Sequence, residues 1–506
     1  MSLAEDTERI RRQIHLGHEI VRSDCARKLS TMTCSRTLRN WLLLAIIAVA
    51  ITASVSNAVS AEPAAQRPNI LFIMTDQQHA GMLSCAGNSS LKTPAMDRLA
   101  RCGIRFERAY VANPVCVPSR ISMATGVMPG RLGVFNNGML ARFPDEVKRN
   151  SLGLLIQRAG YDTFYGGKVH MAPELNPSNA GYATVVRDQR EALPDACIEF
   201  IQQKRDRPFF AVASFINPHD ICYVHAAHLG EAPKAMRHVE ELYRQASAMP
   251  LDQLPPLPAN YAIPVNEPDA IDAHLNPKAV TPAITMRKTY DERQWRIFRW
   301  IYCRLTEQVD AHIGRLLDAV QDAGLEETTL ILFTSDHGDM DASHRLASKG
   351  LFYEQSVRVP LLMQYKGVIP PGQVNTKHLV ATGLDILPTL CDYAGADVPE
   401  ALLGRSLRAI AEGRDVDDWR TFVVSENSWG RMICSQRFKY CIYDSDGFRE
   451  SLVDMEDDPG ELINLARTPE FHDTLLAHRR FLQQWIKASN DTEAEAFALP
   501  VPTKAR

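Results

Sequence analysis

Arg67-Pro-Asn-Ile-Leu-Phe-Ile-Met-Thr-Asp76 is the stretch on which the fold turns. A continuous apolar run after a proline has the pattern of a parallel strand buried on both faces, because a half-exposed strand would alternate. It ends at Asp76-Gln77-Gln78, and the carboxyl edge of such a strand is where open α/β sheets gather ligands. The arrangement recurs along the chain. Arg207-Pro-Phe-Phe-Ala-Val-Ala-Ser-Phe-Ile216 delivers Asn217-Pro218-His219-Asp220, and Thr328-Thr-Leu-Ile-Leu-Phe-Thr334 delivers Ser335-Asp336-His337-Gly338-Asp339. Tyr161-Asp-Thr-Phe-Tyr165 ends at Gly166-Gly-Lys168-Val-His170. Helices are predicted between these strands over Thr93–Gly103, Ser151–Ala159 and Trp295–Ala323, the last from a stripe of Ile297, Ile301, Leu305, Val309, Ile313, Leu316, Leu317 and Val320. His312 falls off this stripe and is expected in solvent. Strands alternating with helices predict a doubly wound α/β domain.

Gly103–Tyr110 reads as one strand leading into Cys116-Val-Pro-Ser-Arg-Ile-Ser-Met-Ala-Thr-Gly126. Pro118 suits the first turn of a helix, where its missing N–H costs nothing. Cys116 then sits just before a helix N-terminus, where unpaired N–H groups and the dipole favour an anion. Arg120 adds a permanent charge with a fork matched to an oxyanion. A single cysteine is more often simply buried or disulfide-bonded, so the residues alone leave both readings open.

The motif order decides between them. Cys116, Pro118, Ser119, Arg120, Thr125 and Gly126 match the C-x-P-S-R-x-x-x-x-T-G signature, and the chain resembles the type I, formylglycine-dependent sulfatases. The likeness runs from Arg67 to the Asp-Pro-Gly-Glu-x-x-Asn-Leu motif at Asp458–Leu465. It implies an alkaline-phosphatase-like fold: a large mixed, mostly parallel sheet flanked by helices, with a small C-terminal antiparallel-sheet subdomain. It also implies that Cys116 is oxidised to formylglycine, hydrated to a geminal diol, by a formylglycine-generating enzyme. Lys168 and Lys349 would bind sulfate. His170 would assist the diol and drive sulfate release from the covalent intermediate, and His219 with Lys349 would protonate the leaving alcohol. Arg120 would pin the hydrated formylglycine. Asp76, Asp336, His337 and the Cys116-derived diol would hold a divalent metal, with Gln77 a doubtful fifth ligand. Many sulfatases carry Asp-Asp at Asp76-Gln77 and Asp-Asn at Asp336-His337. Losing a carboxylate and gaining an imidazole moves the site toward Mn²⁺ or Zn²⁺, with Mg²⁺ also possible; Ca²⁺ is the first expectation.

Across 506 residues, 45% apolar and 23% charged with a formal charge of −4, the composition is that of an ordinary globular protein and gives no basic surface for nucleic acid. Trp41–Val55 is an apolar run preceded by Arg36 and Arg39 and followed by Ala58-Val-Ser-Ala61. This is secretory-signal architecture, so residues 1–61 are expected to be an extension plus signal peptide, with Met32 a plausible true start. The protein would be exported, periplasmic or secreted, with no stable membrane association once processed. An uncleaved signal anchor is the rival reading. Residues 67–403 are read as the catalytic domain, 404–490 as the C-terminal subdomain and 491–506 as a tail. His344 is expected to be structural. The Pro-, Ala- and His-rich stretch 221–286 (His225, His228, His238, His274) is expected to be irregular and to wall the substrate side. Eleven cysteines in an exported context permit disulfides. Cys434 and Cys441 flank a predicted hairpin and are the pair to test, two packed free thiols being the alternative.

These residues predict a sulfatase acting on a sulfated small molecule or carbohydrate, most simply an extracellular glycan. A phosphonate monoester or phosphodiester hydrolase using the same site is the second reading, and a non-catalytic glycan-binding relative the third.

Overall fold

Along Asn69–Asp76 (β1) every residue after the first is buried, and the two faces are shared out by the strand's own alternation. Ile70, Phe72 and Met74 pack on one side with helices Cys116–Thr125, Leu152–Arg158 and Thr382–Ala394. Leu71 and Ile73 pack on the other with Pro94–Cys102, Leu193–Gln202 and Glu292–Asp322. The computed structural model describes residues 67–138, 143–187, 190–275 and 281–501. The predicted signal segment, with Cys25 and Cys34, lies outside them. Among the described residues no helix is long and apolar enough to cross a membrane.

The remaining strands are Ile104–Phe106 (β2), Ala109–Tyr110 (β3), Asp162–Gly167 (β4), Thr184–Arg187 (β5), Phe209–Pro218 (β6), Thr329–Ser335 (β7), Leu361–Gln364 (β8), Gln373–Asn375 (β9) and Val380–Ala381 (β10). Eight of them form one sheet in the order β5-β4-β6-β1-β7-β8-β2-β9. The run from β5 to β7 is parallel, and only β8 opposes its neighbours β7 and β2. This is the mixed, mostly parallel sheet expected. Parallel order places Asp76, Lys168, His219 and Asp336 at one edge.

Four details differ from the sequence reading. The single strand predicted over Gly103–Tyr110 breaks at Glu107-Arg108, so that β2 joins the large sheet and β3 pairs with β10. The long helix begins three residues earlier than predicted, because Asp291 and Gln294 form a reciprocal capping box. His312 is not solvated: it stacks on Phe215 with ring centroids 6.1 Å apart and lies 3.4 Å from Glu191. The stretch 221–286 is not irregular throughout. It contains helices Val224–Leu229, Arg237–Ala248, Ala270–His274 and Ala283–Thr289. Val239, Leu242 and Ala246 of the second face Trp295, Phe298 and Tyr302 on the long helix; flanking prolines hid that period. His225, His228 and His238 bond to Tyr290, Tyr243 and Asp220.

Beyond Gly404, Phe422–Asn427 (β11), Gly430–Ser435 (β12), Phe438–Tyr443 (β13) and Glu450–Asp454 (β14) form an antiparallel meander covered by helix His472–Ser489. Its core is continuous with Tyr110, Met340, Leu351 and Phe352. The nine described cysteines are free thiols. Register sets Cys434 opposite Lys439 and Cys441 opposite Met432, so the tested pair is two packed thiols. His344 is buried and packs against Tyr353 with ring centroids 4.1 Å apart and planes tilted by 33°; burial pushes its imidazole down to about 3, which fits the structural role expected.

Glu426 yields a pH prediction. It is buried, 3.6 Å from Arg431, and accepts from Gly130 N–H. Burial pushes its carboxyl up to about 7, so the folded state holds a proton that the unfolded chain releases near pH 4.5. The corresponding stability is complete below pH 4.5 and is lost as pH rises to about 7. Glu426→Gln is expected to remove that slope in urea midpoints measured between pH 4.5 and 7.5; an unchanged slope would show that Arg431 already keeps the carboxylate ionised.

Candidate active site

Pro118 in the first turn and Gly126 in the left-handed region at the end fix helix Cys116–Thr125, whose Gly126 N–H returns to Ser122 O at 2.7 Å. Val115 provides no side-chain cap. The first turn is served instead from a loop, where Asn137 Oδ1 accepts from Val117 N–H at 3.0 Å. The helix is buried along nearly its whole length, and its first residue, Cys116, lies between the ends of β1 and β7.

Around Cys116 Sγ stand His337 Nε2 at 3.1 Å, Lys349 Nζ at 3.1 Å, Asp76 Oδ1 at 3.8 Å and Lys168 Nζ at 4.0 Å. His219 Nε2 is 4.0 Å from Asp76 Oδ1. Arg120 lies beneath. Its Nε donates to Asp336 Oδ2 and its Nη2 to Asp76 Oδ2, both at 2.8 Å, while Nη1 donates to Ser214 Oγ and Lys168 O. The guanidinium therefore spends its fork on the two carboxylates. Lys168 is brought in by Gly167, whose φ is +98° and where a Cβ would meet Ser214 O at 2.0 Å; only glycine fits.

The charges reinforce one another. Burial and Asp76 would raise the Cys116 thiol, but Lys349, His337 and a hydrogen bond with His170 bring it well below its ordinary value. Burial would raise Asp76 too, yet Lys168, His219, Arg120 and Lys349 hold its carboxyl well below the usual range. Asp336 is pushed up to about 6 by burial and by Asp76. Burial and Lys349 lower His219. This is a buried centre with cations crowding one sulfur, the setting in which a reacting anion is stabilised.

Asp76, Cys116, Asp336 and His337 place one ligand atom each within 4.8 Å of one another. With both Oδ2 atoms held by Arg120, the Oδ1 atoms face this common point. Two hard oxygens and an imidazole, all buried, fit a divalent cation. Gln77 is differently engaged: its Oε1 accepts from Lys349 Nζ at 2.7 Å and from the Cys222 thiol at 3.2 Å, and its Nε2 donates to Asp339 Oδ2 at 2.6 Å. His170 is the exposed member of the set. The structure thus brings Asp76, Cys116, Arg120, Lys168, His219, Asp336, His337 and Lys349 together, with His170 at the rim.

Ser214, Asn137, Cys222 and Asp339 were not singled out from the sequence. Asp339 carried a signal, two residues past His337 in the same motif; the others sit in stretches with none.

Residues 68–396 match the sulfatase family profile, and residues 342–488 match the profile for the C-terminal part of N-sulphoglucosamine sulphohydrolase. The chain is 28% identical over 468 residues to a delta 4,5-hexuronate-2-O-sulfatase of Bacteroides thetaiotaomicron, covering 85% of this chain and 91% of the relative. It is 26% identical over 490 residues to an arylsulfatase of Clostridium perfringens, covering 82% and 94%. A solved 2-O GAG sulfatase superimposes with a TM-score of 0.73 at 27% identity, over 87% of this chain and 95% of that one. A phosphonate monoester hydrolase of Agrobacterium radiobacter, 22% identical with a TM-score of 0.68 over 84% and 96%, shares the fold.

Proposed function

The chain belongs to the sulfatase family and hydrolyses sulfuric ester bonds; we propose that its substrate is a sulfated carbohydrate, attacked through a formylglycine made from Cys116. The observation that carries this reading is the Cys116 position itself, buried at a helix N-terminus with Lys349, Lys168 and His337 within 4.0 Å. Hexuronate-2-O and N-acetylglucosamine-6-O relatives favour a glycan, and the Trp41–Val55 run favours export. Residues 67–403 would be the catalytic domain, 404–490 the C-terminal subdomain, 491–506 a tail, and 221–286 a wall on the substrate side.

In this reading a formylglycine-generating enzyme oxidises Cys116 during maturation, and the hydrated aldehyde offers an oxygen nucleophile where Sγ now stands. Asp76, Asp336 and His337 would hold the cation, Ca²⁺ by first choice, which supplies positive charge to the sulfate oxygens. Lys168 and Lys349 neutralise the sulfate from the sides. Arg120 keeps the carboxylates aimed. His170, exposed at the rim, would take the proton that the diol must lose. His219, whose imidazole is lowered by burial and Lys349, would share with Lys349 the delivery of a proton to the leaving alcohol.

Peptide mass spectrometry of protein from its native host tests the nucleophile: the Cys116 peptide should be lighter by about 18 Da, the thiol-to-aldehyde difference. An unmodified thiol would sink this mechanism. Asp336-His337 is the observation that keeps ester hydrolysis at phosphorus as a second reading; matched aryl sulfate and phosphonate esters decide it by which inorganic or acid product appears.

Metal removal gives a further prediction. After exhaustive chelation, turnover should fall below detection and Tm should drop by several degrees, since a ligand bound only to the folded state adds stability by mass action. Both should return with Ca²⁺ in calorimetry and activity assays. Recovery with Mn²⁺ alone would correct the choice of ion.

A further inference from the structure

Lys349 reaches Cys116 from a segment that is gripped by the C-terminal sheet. Gly350, the next residue, donates its N–H to Pro114 O at 3.1 Å, two residues before Cys116. Its carbonyl accepts from Asn427 Nδ2 at 2.9 Å. Asn427 is buried at the end of β11, and its Oδ1 is fixed in turn by Trp429 N–H at 3.0 Å. Glu426, one residue earlier, donates its N–H to Ala112 O at 2.8 Å. The β11–β12 turn therefore touches both chain segments that carry the reacting side chains.

A second contact grips the same segment three residues on. Phe352 stacks against Tyr443 with centroids 5.8 Å apart and planes at 22°, and Tyr443 stacks against Trp429 at 5.4 Å and 24°. The layering tolerates nothing between: a Cβ on Gly430 would lie 2.8 Å from Phe352 Cε2 and 3.0 Å from Tyr443 Cδ1. Gly350 is thus held by a hydrogen bond from the end of β11 and Phe352 by a ring stack from the end of β13, both in the C-terminal sheet.

We propose that Asn427 is a positioning residue for Lys349, so that the C-terminal sheet sets the geometry of sulfate binding and leaving-group protonation. This rests on the role given to Lys349 above. Without the Asn427 amide, Gly350 O loses its partner, and a half-buried carbonyl left unpaired favours local rearrangement. A shift of about 1 Å in an orienting group is enough to cost on the order of 100-fold in rate.

The test is a double-mutant cycle with two esters of differing leaving groups, 4-nitrophenyl sulfate and phenyl sulfate, on formylglycine-bearing enzyme. Lys349→Ala should harm phenyl sulfate more, because its poorer leaving group needs more help from an acid. Asn427→Ala should show the same selectivity, with kcat on phenyl sulfate falling about tenfold further than on 4-nitrophenyl sulfate. The double variant should be no worse than Lys349→Ala alone, as expected for residues acting through one group. If Asn427→Ala does not fold, Asn427→Asp keeps the acceptor for Trp429 N–H while removing the donor to Gly350 O. Equal losses on both esters, or losses that multiply with those of Lys349→Ala, would overturn the inference and leave Asn427 a stabilising residue. Should Lys349→Ala itself lack leaving-group selectivity, the role of Lys349 fails first, independently of what Asn427 does.

Discussion

Cys116→Ala is expected to lower turnover of every sulfate ester by at least about 10⁴-fold while leaving the protein folded. Removal of a nucleophile costs nearly as much as removal of the whole constellation, since the remaining groups act through it. The fold should survive because alanine suits a helix start and the lost group is one sulfur. The surrounding charges argue against a large destabilisation as well. Lys349 keeps Gln77 at 2.7 Å and Lys168 keeps Asp76 at 2.6 Å, so neither cation is left alone. Single-turnover assays and thermal melts of the variant and wild type, made in the same host, check both halves. Residual activity within tenfold of wild type would mean that another group attacks sulfur.

Arg120→Leu is the complementary case, a large loss of stability. Arg120 Nε and Nη2 satisfy the Oδ2 atoms of Asp336 and Asp76, and all three side chains are at most 1% exposed. Burial raises Asp336 even with the guanidinium present. Taking away one partner of a buried ion pair leaves an uncompensated charge and costs about 3–5 kcal/mol; here one cation serves two anions, which puts the expectation at the upper end. Ser214 Oγ and Lys168 O also lose a donor. Arg120→Lys keeps the charge but cannot bridge both carboxylates with a planar fork, so it should fall between. Urea unfolding at pH 7.5 measures the difference, and a loss under about 1 kcal/mol would show that Lys168 and solvent can replace the guanidinium.

The sequence made the large sheet legible because its central strands are covered on both faces. A run such as Ile70 to Met74 then has no polar interruption. It made the strand-end residues legible for the same reason, since Asp76, His219 and Asp336 are the first titratable groups after such runs. Residues that act across the sheet were harder to find. Ser214 is interior to β6 and looks like one more small core residue, and Asn137 and Asn427 belong to turns where asparagine is ordinary. Their partners, Val117 N–H and Gly350 O, are backbone atoms, which leave no trace in a motif. The helices of 221–286 were obscured because proline-rich flanks outweighed the short apolar period of Val239, Leu242 and Ala246.

The enclosure of Cys116 also sets a clock. Its burial needs Asp336 and the end of β7, which leave the ribosome about two hundred residues later than Cys116 does. At about 5–20 residues per second, the thiol stays within reach of another protein for about 10–40 seconds during synthesis. In the folded chain Cys116, the first residue of its helix, is 0% exposed. In the reading proposed above, oxidation of Cys116 has at least that interval on a chain not yet folded, longer where export keeps it unfolded, and protein that folds unoxidised would form a well-folded but inert fraction.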